Sequence, residues 1–236
     1  MRRIPQRLLL AILALLVVPA MASAHSARPY APSEAKSFDA VLTKWTAIMK
    51  TPGGDPVFQM QPSTFYQDKR QRLLVLEATE ADGKTWLKVR LPSWFSHGMS
   101  SGWVNADRVK IAVNHWRVEV SRAAGTMKII HNGHVVTTAS VGTGTDSTPT
   151  PGGLHATYDH WRSDQAVLGD WTVSLTTHSP QVPEFGGRQA VVAIHGWHAS
   201  GGSEGSVSHG CIRVANDWLM RTIALRLPMG TPVMVT

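Results

Sequence analysis

The chain has a single cysteine, only three tyrosines, and no internal repeat or low-complexity block. One cysteine excludes an internal disulfide, so Cys211 is buried, paired with another chain, or put to chemical use. After the N-terminus no apolar run approaches the roughly 20 residues that a bilayer-spanning helix needs, which excludes a helical membrane domain. Charge is also sparse: 17 % of residues are Asp, Glu, Lys or Arg, with a formal excess of +7, and no block of like charge suggests a nucleic-acid groove.

What is present begins with a secretory pattern. Arg2, Arg3 and Arg7 flank the apolar stretch Leu8–Val18, and Ala22-Ser23-Ala24 has the small-residue form of a cleavage site. The expectation is an export signal over 1–24, a mature chain starting near His25, and a location in the periplasm or cell wall. Residues 25–113 carry twelve Lys/Arg and eight Asp/Glu, whereas residues 114–236 carry eight of each. The positive excess of the mature chain therefore lies in its first half, which suits an anionic wall polymer as partner.

From Ser33 to Lys50 the apolar residues Phe38, Val41, Leu42, Trp45, Ile48 and Met49 recur at three- and four-residue steps. That spacing predicts an amphipathic helix, stopped by Thr51-Pro52-Gly53-Gly54, within a lead segment over 25–54. Residues 55–112 read as short strands: Leu73–Leu76, the turn Asp82-Gly83, Trp86–Leu91 and Ser101–Val104. The Trp-x-Lys-Val strand and the Gly-Trp-Val ending resemble a bacterial SH3-like small β-barrel, which serves as a wall-binding unit or a spacer. On that view residues 25–112 are dispensable for activity on a soluble peptide.

Residues 113–236 are again mainly β. Trp116–Val120 alternates, Asn132-Gly133 sits where a tight hairpin turn belongs, and Thr172–Leu175 alternates too. Ala190–Ile194 is apolar on both faces, as expected of a central buried strand that ends at His195. One helix is predicted after the cysteine, capped by Asn216 and running to Arg226, before a last strand over Val233–Val235. Between 154 and 190 the residues His155, Tyr158, His160, Trp161, Trp171 and His178 either line a channel or pack a loop.

Cys211 sits in Ser208-His209-Gly210-Cys211-Ile212-Arg213. A thiol attacks only as thiolate, so it needs a nearby base or cation. His195, at the end of a separate strand, can approach the sulfur through space. His209, two residues before it, tends to point elsewhere and suits an orienting role. Loop amides at Gly210 and Cys211 are candidate donors to an oxyanion, and Gly210 lets a substrate carbonyl approach the backbone.

His195-Gly196, a spacer, then Ser208-His209-Gly210-Cys211-Ile212-Arg213 resembles the L,D-transpeptidase (YkuD-like) family. The upstream Thr148-Pro149-Thr150-Pro151-Gly152-Gly153 and the closing Gly230-Thr231-Pro232-Val233 are similar as well. Trp197 departs from the pattern, since a small hydroxyl residue is common after His-Gly. The resemblance implies a β-sandwich with one helix after the cysteine loop. In it Cys211 is the nucleophile that forms a thioester on a peptidoglycan stem, and His195 is the general base oriented by the carbonyl of Gly196. Ser208, His209, Gly210 and Arg213 support the loop and the oxyanion, and Arg213 faces a substrate carboxylate. Donor and acceptor stems and carbapenem-type inhibitors are the implied partners, with no cofactor or metal required.

Two other readings remain open from the residues. One is L,D-carboxypeptidase or hydrolase action on the same stems. The other is a wall-binding protein with a metal site at His195, His209 and Cys211, with His198 as a further ligand. Sortase-like and papain-like arrangements fit less well, because the first lacks the His-Gly pairing and the second places cysteine before histidine.

Overall fold

A computed structural model of the chain describes residues 30–93, 96–182, 184–185 and 188–236. The export signal expected over 1–24 and the chain start near His25 lie outside the described residues. Two sheets account for most of the structure, and among the described residues no helix is long and apolar enough to cross a membrane.

The first sheet holds seven strands: β1 (Ser37–Leu42), β2 (Thr46–Met49), β3 (Pro56–Met60), β4 (Arg72–Ala81), β5 (Lys84–Arg90), β6 (Ser101–Asn105) and β7 (Val109–Asn114). Their order is β3-β2-β6-β5-β4-β1-β7. The helix expected between Ser33 and Lys50 does not form; β1 and β2 occupy that segment. The three- and four-residue spacing came from two strands either side of a bend, not from one helical face. Trp45, which a helix would have buried, is 63 % exposed in the bend. What overrides the local pattern is distant pairing: β1 is hydrogen-bonded on one edge to β4 and on the other to β7. Leu42, Ile48, Leu73, Leu87, Val89 and Val104 form its core.

The β4–β5 hairpin turns at Asp82-Gly83, both with positive φ (51° and 68°), the conformation that a two-residue turn between twisted strands requires. Asn132-Gly133 repeats the device in the second half, with φ of 52° and 78°.

The second half runs β8 (Trp116–Ser121), β9 (Thr126–His131), β10 (His134–Ser140), β11 (Gly142–Gly144), β12 (Gly153–Arg162), β13 (Trp171–His178), β14 (Glu184–Phe185), β15 (Arg188–Gln189), β16 (Val191–Gly196), β17 (Gly205–Ser208), β18 (Ile212–Val214), α1 (Asp217–Arg226) and β19 (Pro232–Val235). All except the small β14–β15 pair and α1 join one sheet in the order β10-β9-β8-β19-β12-β13-β16-β18-β11-β17. The chain is thus mainly β, as the sequence led one to expect, and of the two expected helices only α1, after the cysteine, forms among the described residues. Asn216 caps α1, its Oδ1 accepting from the Leu219 amide at 2.9 Å. Leu219, Met220 and Ile223 point from α1 into a core shared with Val173, Ile194 and Ile212.

The two halves meet through buried polar contacts. On the first-half side, the fully buried Asp39 of β1 is ion-paired within its own sheet to Arg72 at 2.7 Å and accepts from Asn114 Nδ2 at 3.4 Å. Asn114 Nδ2 donates to Thr231 Oγ1 at 3.1 Å, linking the end of β7 to the turn before β19. Burial outweighs Arg72 at Asp39 and pushes its carboxyl up to about 6.

Candidate active site

Sixteen residues separate His195 from Cys211, yet the sheet makes them neighbours. β16 and β18 pair in parallel, with Ile194 opposite Ile212 and His195 opposite Arg213. Side chains alternate along each strand, so the two isoleucines go to one face and Ala193, His195, Cys211 and Arg213 to the other. Ile194 and Ile212 are both fully buried, and burial of such side chains contributes about 1.5–3 kcal/mol each. That hydrophobic pair holds the register on which the opposite face depends.

His195 and Cys211 line one cleft of about 420 Å³, with Trp161, Leu168, Trp197 and Arg213 among its walls. The Cys211 thiol lies 4.0 Å from the Val191 carbonyl oxygen, against the backbone of β16. Burial pushes its pKa up, while a hydrogen bond from the Ala193 backbone and the charge of Arg213 pull it down. The resting sulfur is therefore a thiol.

His195 is 4 % exposed, and burial drives its pKa down to about 4, with Arg213 acting in the same direction. Its Nδ1 lies 2.7 Å from the Gly196 carbonyl oxygen. A carbonyl can only accept, so Nδ1 carries the proton and Nε2 is left with its lone pair. The ring is thus neutral and in the tautomer of a proton acceptor. Gly169 packs its backbone against Gly196: a Cβ on Gly196 would lie 3.0 Å from the Gly169 Cα.

Ser208 is the clamp of the cysteine loop. Its hydroxyl donates to the Cys211 carbonyl at 2.6 Å and accepts from the Gly210 amide at 3.0 Å. The Gly210 N–H, one of two amides expected to serve an oxyanion, is therefore already engaged, which leaves the Cys211 amide. Gly210 itself has φ of 118°, and an added Cβ would sit 3.4 Å from Ser179. That backbone conformation by itself calls for glycine there. The Thr148–Gly153 turn buttresses the same loop: Thr148 Oγ1 donates to the Ser208 carbonyl at 3.1 Å, and Thr150 Oγ1 accepts from Gly144 at 2.9 Å.

Arg213 is held in place. Its Cζ lies 3.7 Å from the centroid of the Trp197 ring and its Nη1 donates to the Gly202 carbonyl at 2.7 Å. Among the described residues its Nε is buried without a hydrogen-bond partner. Trp197, the departure in the motif, is the platform on which this guanidinium lies. His209 is exposed and lines the rim of the same cleft as Cys211. His198 turns away from the thiol to Asp217, with Nε2 2.6 Å from Oδ1, a contact that raises its pKa. Among the described residues no three His, Cys, Asp or Glu side chains converge to hold a metal ion.

Of the aromatic and histidine residues between 154 and 190, Tyr158 and Trp161 line the cleft. His155 instead hydrogen-bonds Pro151, His160 meets Lys69, and Trp171 packs on the core with Arg162 over its ring. Sequence reasoning missed Tyr66, which enters the cleft from the first half of the chain. No local pattern marks it, because its place there depends on contacts across the two halves.

No curated protein sequence matches the chain. Among solved structures, similarity is found to the catalytic domain of an E. faecium L,D-transpeptidase, at 23 % identity and a TM-score of 0.37, covering 51 % of this chain and 96 % of that one. An L,D-transpeptidase from Xylanimonas cellulosilytica is 20 % identical with a TM-score of 0.37, over 51 % of this chain and 60 % of that one. The helical cell shape determining protein Pgp2 from Campylobacter jejuni is 17 % identical with a TM-score of 0.39, over 51 % of this chain and 46 % of that one. The chain therefore spans less than two thirds of the last two proteins. The family model of the YkuD L,D-transpeptidase catalytic domain matches residues 115–235, from the start of β8 to the end of β19, and the chain belongs to that family.

Proposed function

We propose that the protein is an exported L,D-transpeptidase that cross-links peptidoglycan stem peptides through a thioester on Cys211. The observation that carries this reading is the placement of a neutral His195, its Nδ1 proton tied to Gly196, on the same sheet face and in the same cleft as the Cys211 thiol.

Both partners rest uncharged, so the sulfur is activated only as it attacks. The thiol proton passes to His195 Nε2 while the sulfur bonds to the carbonyl carbon of the amide between the stem's third residue and its terminal D-alanine. The Cys211 amide donates to the developing oxyanion. Collapse breaks the carbon–nitrogen bond; the D-alanine amine leaves with the proton from His195, and the acyl group stays on sulfur. An acceptor stem's amine then attacks the thioester, gives its proton to His195, and forms the new amide. Sulfur leaves as thiolate and takes the proton back from His195. Arg213, fixed by Trp197, supplies a charge for a stem carboxylate through the N–H groups not used on Gly202. None of these steps calls on a cofactor.

In the same reading residues 1–24 direct export, residues 113–236 form the catalytic unit, and the basic first half adds contact with an anionic wall polymer. The SH3-like character of residues 55–112 belongs to the proposal too. Its first sheet, however, begins at Ser37 rather than at Asp55.

The deciding experiment is mass spectrometry of the purified chain with a defined tetrapeptide stem. A Cys211-linked acyl adduct and a stem dimer lacking one D-alanine are expected. Release of the tripeptide without dimer would replace cross-linking by hydrolysis. No adduct at all would remove the enzymatic reading.

A further inference from the structure

The cleft around Cys211 has a wall that does not come from the matched domain. Tyr66, in the loop between β3 and β4, lines it together with Trp161. The Tyr66 ring lies 4.5 Å from that of Trp161, centroid to centroid and tilted by 31°. Phe65 meets Tyr66 edge to face at 5.0 Å.

The loop is fastened to the catalytic half by a buried carboxylate. Asp159 on β12 is 1 % exposed, and its Oδ2 accepts the Tyr66 backbone N–H at 2.9 Å. Its Oδ1 accepts the amide of its neighbour His160 at 2.8 Å. Thr64 and the Phe65 amide also hydrogen-bond to this carboxylate. A buried carboxylate is costly unless donors surround it, and most of these donors come from a segment ninety or so residues upstream. Lys69 adds a fourth link, its Nζ 3.4 Å from His160 Nε2. The outcome is an aromatic side chain, 40 % exposed, held at the edge of the reaction cleft.

We propose that Tyr66 is a substrate-binding residue: with Trp161 it forms an aromatic wall against the aliphatic face of the donor stem peptide. Asp159 acts as the positioning residue that holds the wall in place. The inference rests on the proposed function and deepens it, because it makes the first half of the chain part of the binding site. Removing residues 25–112 would take away one side of the cleft, the reverse of the dispensability expected from the sequence. A short, flexible stem gains from such a wall because rigid aromatic area costs little entropy to order. The two rings exchange no proton with the thiol or the imidazole, so the wall stabilises bound substrate and transition state alike, and its loss shows in KM rather than kcat.

The test uses the full-length chain with Tyr66→Ala and Tyr66→Phe, turnover of a defined tetrapeptide stem, and the rate of Cys211 alkylation by iodoacetamide. Tyr66→Ala should raise KM about three- to ten-fold with kcat within about two-fold, and alkylation should be unchanged. Tyr66→Phe should behave as wild type, and Asp159→Asn should raise KM by less than Tyr66→Ala does. An unaltered KM in Tyr66→Ala, a loss confined to kcat, or equal impairment in Tyr66→Phe overturns the inference. A wild-type chain with no action on the stem refutes the proposed function and this inference with it. An active wild type matched by Tyr66→Ala refutes this inference alone.

Discussion

Acidifying the protein from pH 7 to pH 4 should remove about 3 kcal/mol of folding stability through His195 alone. The ordinary imidazole value is 6.5, and burial holds His195 at about 4. At ~1.36 kcal/mol per pH unit, that gap has a ceiling of about 3.4 kcal/mol, slightly less at pH 4 where the folded ring is half protonated. The sign follows from proton uptake. As pH falls below 6.5 the unfolded chain binds a proton that the folded site refuses, so the stabilisation is complete above 6.5 and lost on the way down to about 4. For a chain of this size the loss corresponds to a fall in Tm of about 6–12 °C. His160 is also pushed down to about 4 by burial and adds a loss of the same sign, so the wild-type curve alone is ambiguous. His195→Gln resolves it, since glutamine offers the Gly196 carbonyl an N–H and does not titrate. Calorimetric melts of both proteins at pH 7, 5.5 and 4 should show the wild type losing about 6–12 °C more than the variant. Parallel curves would refute the buried, neutral imidazole on which the mechanism is built.

Cys211→Ala should leave the melting temperature within about 3 °C of wild type, because the half-buried thiol fills little space, while abolishing the acyl adduct seen by mass spectrometry. Retained stem acylation would exclude thiol catalysis. Replacing His195 with alanine should slow acylation about 10²- to 10⁴-fold, and His209→Ala, on an exposed side chain, by no more than about three-fold; equal losses in stopped-flow assays would undo the division of roles. Ser208→Ala removes two hydrogen bonds worth about 1 kcal/mol each and frees the Gly210 amide, so a denaturant titration should show a loss of about 2 kcal/mol. A stability equal to wild type would mean that the hydroxyl is not the clamp.

Features carried by local chemistry were legible in the sequence. Asp82-Gly83 and Asn132-Gly133 mark hairpins because their positive φ values are needed at those points, and Asn216 marks a helix start because its side chain serves an otherwise unpaired amide. The His195–Cys211 constellation was legible through the apolar run that had to be a central strand and the motif that followed it. Distant pairing was not. Phe38 to Met49 mimics a helix until β4 and β7 claim β1 from both sides. The Gly210 amide looked available until Ser208 was seen to occupy it. Trp197 read as an anomaly, and only the position of Arg213 over its ring gives it a purpose. Tyr66 carries no signal at all, because its partner Asp159 lies far along the chain.

The pairing of β16 with β18 has an evolutionary corollary. With His195 opposite Arg213, Cys211 falls beside Ala193, so the offset between His195 and Cys211 is set by one strand spacing, about 4.8 Å, and two residues along the strand, and not by the residues that run between them. Within the stretch from Trp197 to Glu204 the Trp197 ring and the Gly202 carbonyl are tied to Arg213, so insertions that spare those two can reshape what the cleft admits while His195 and Cys211 stay in step.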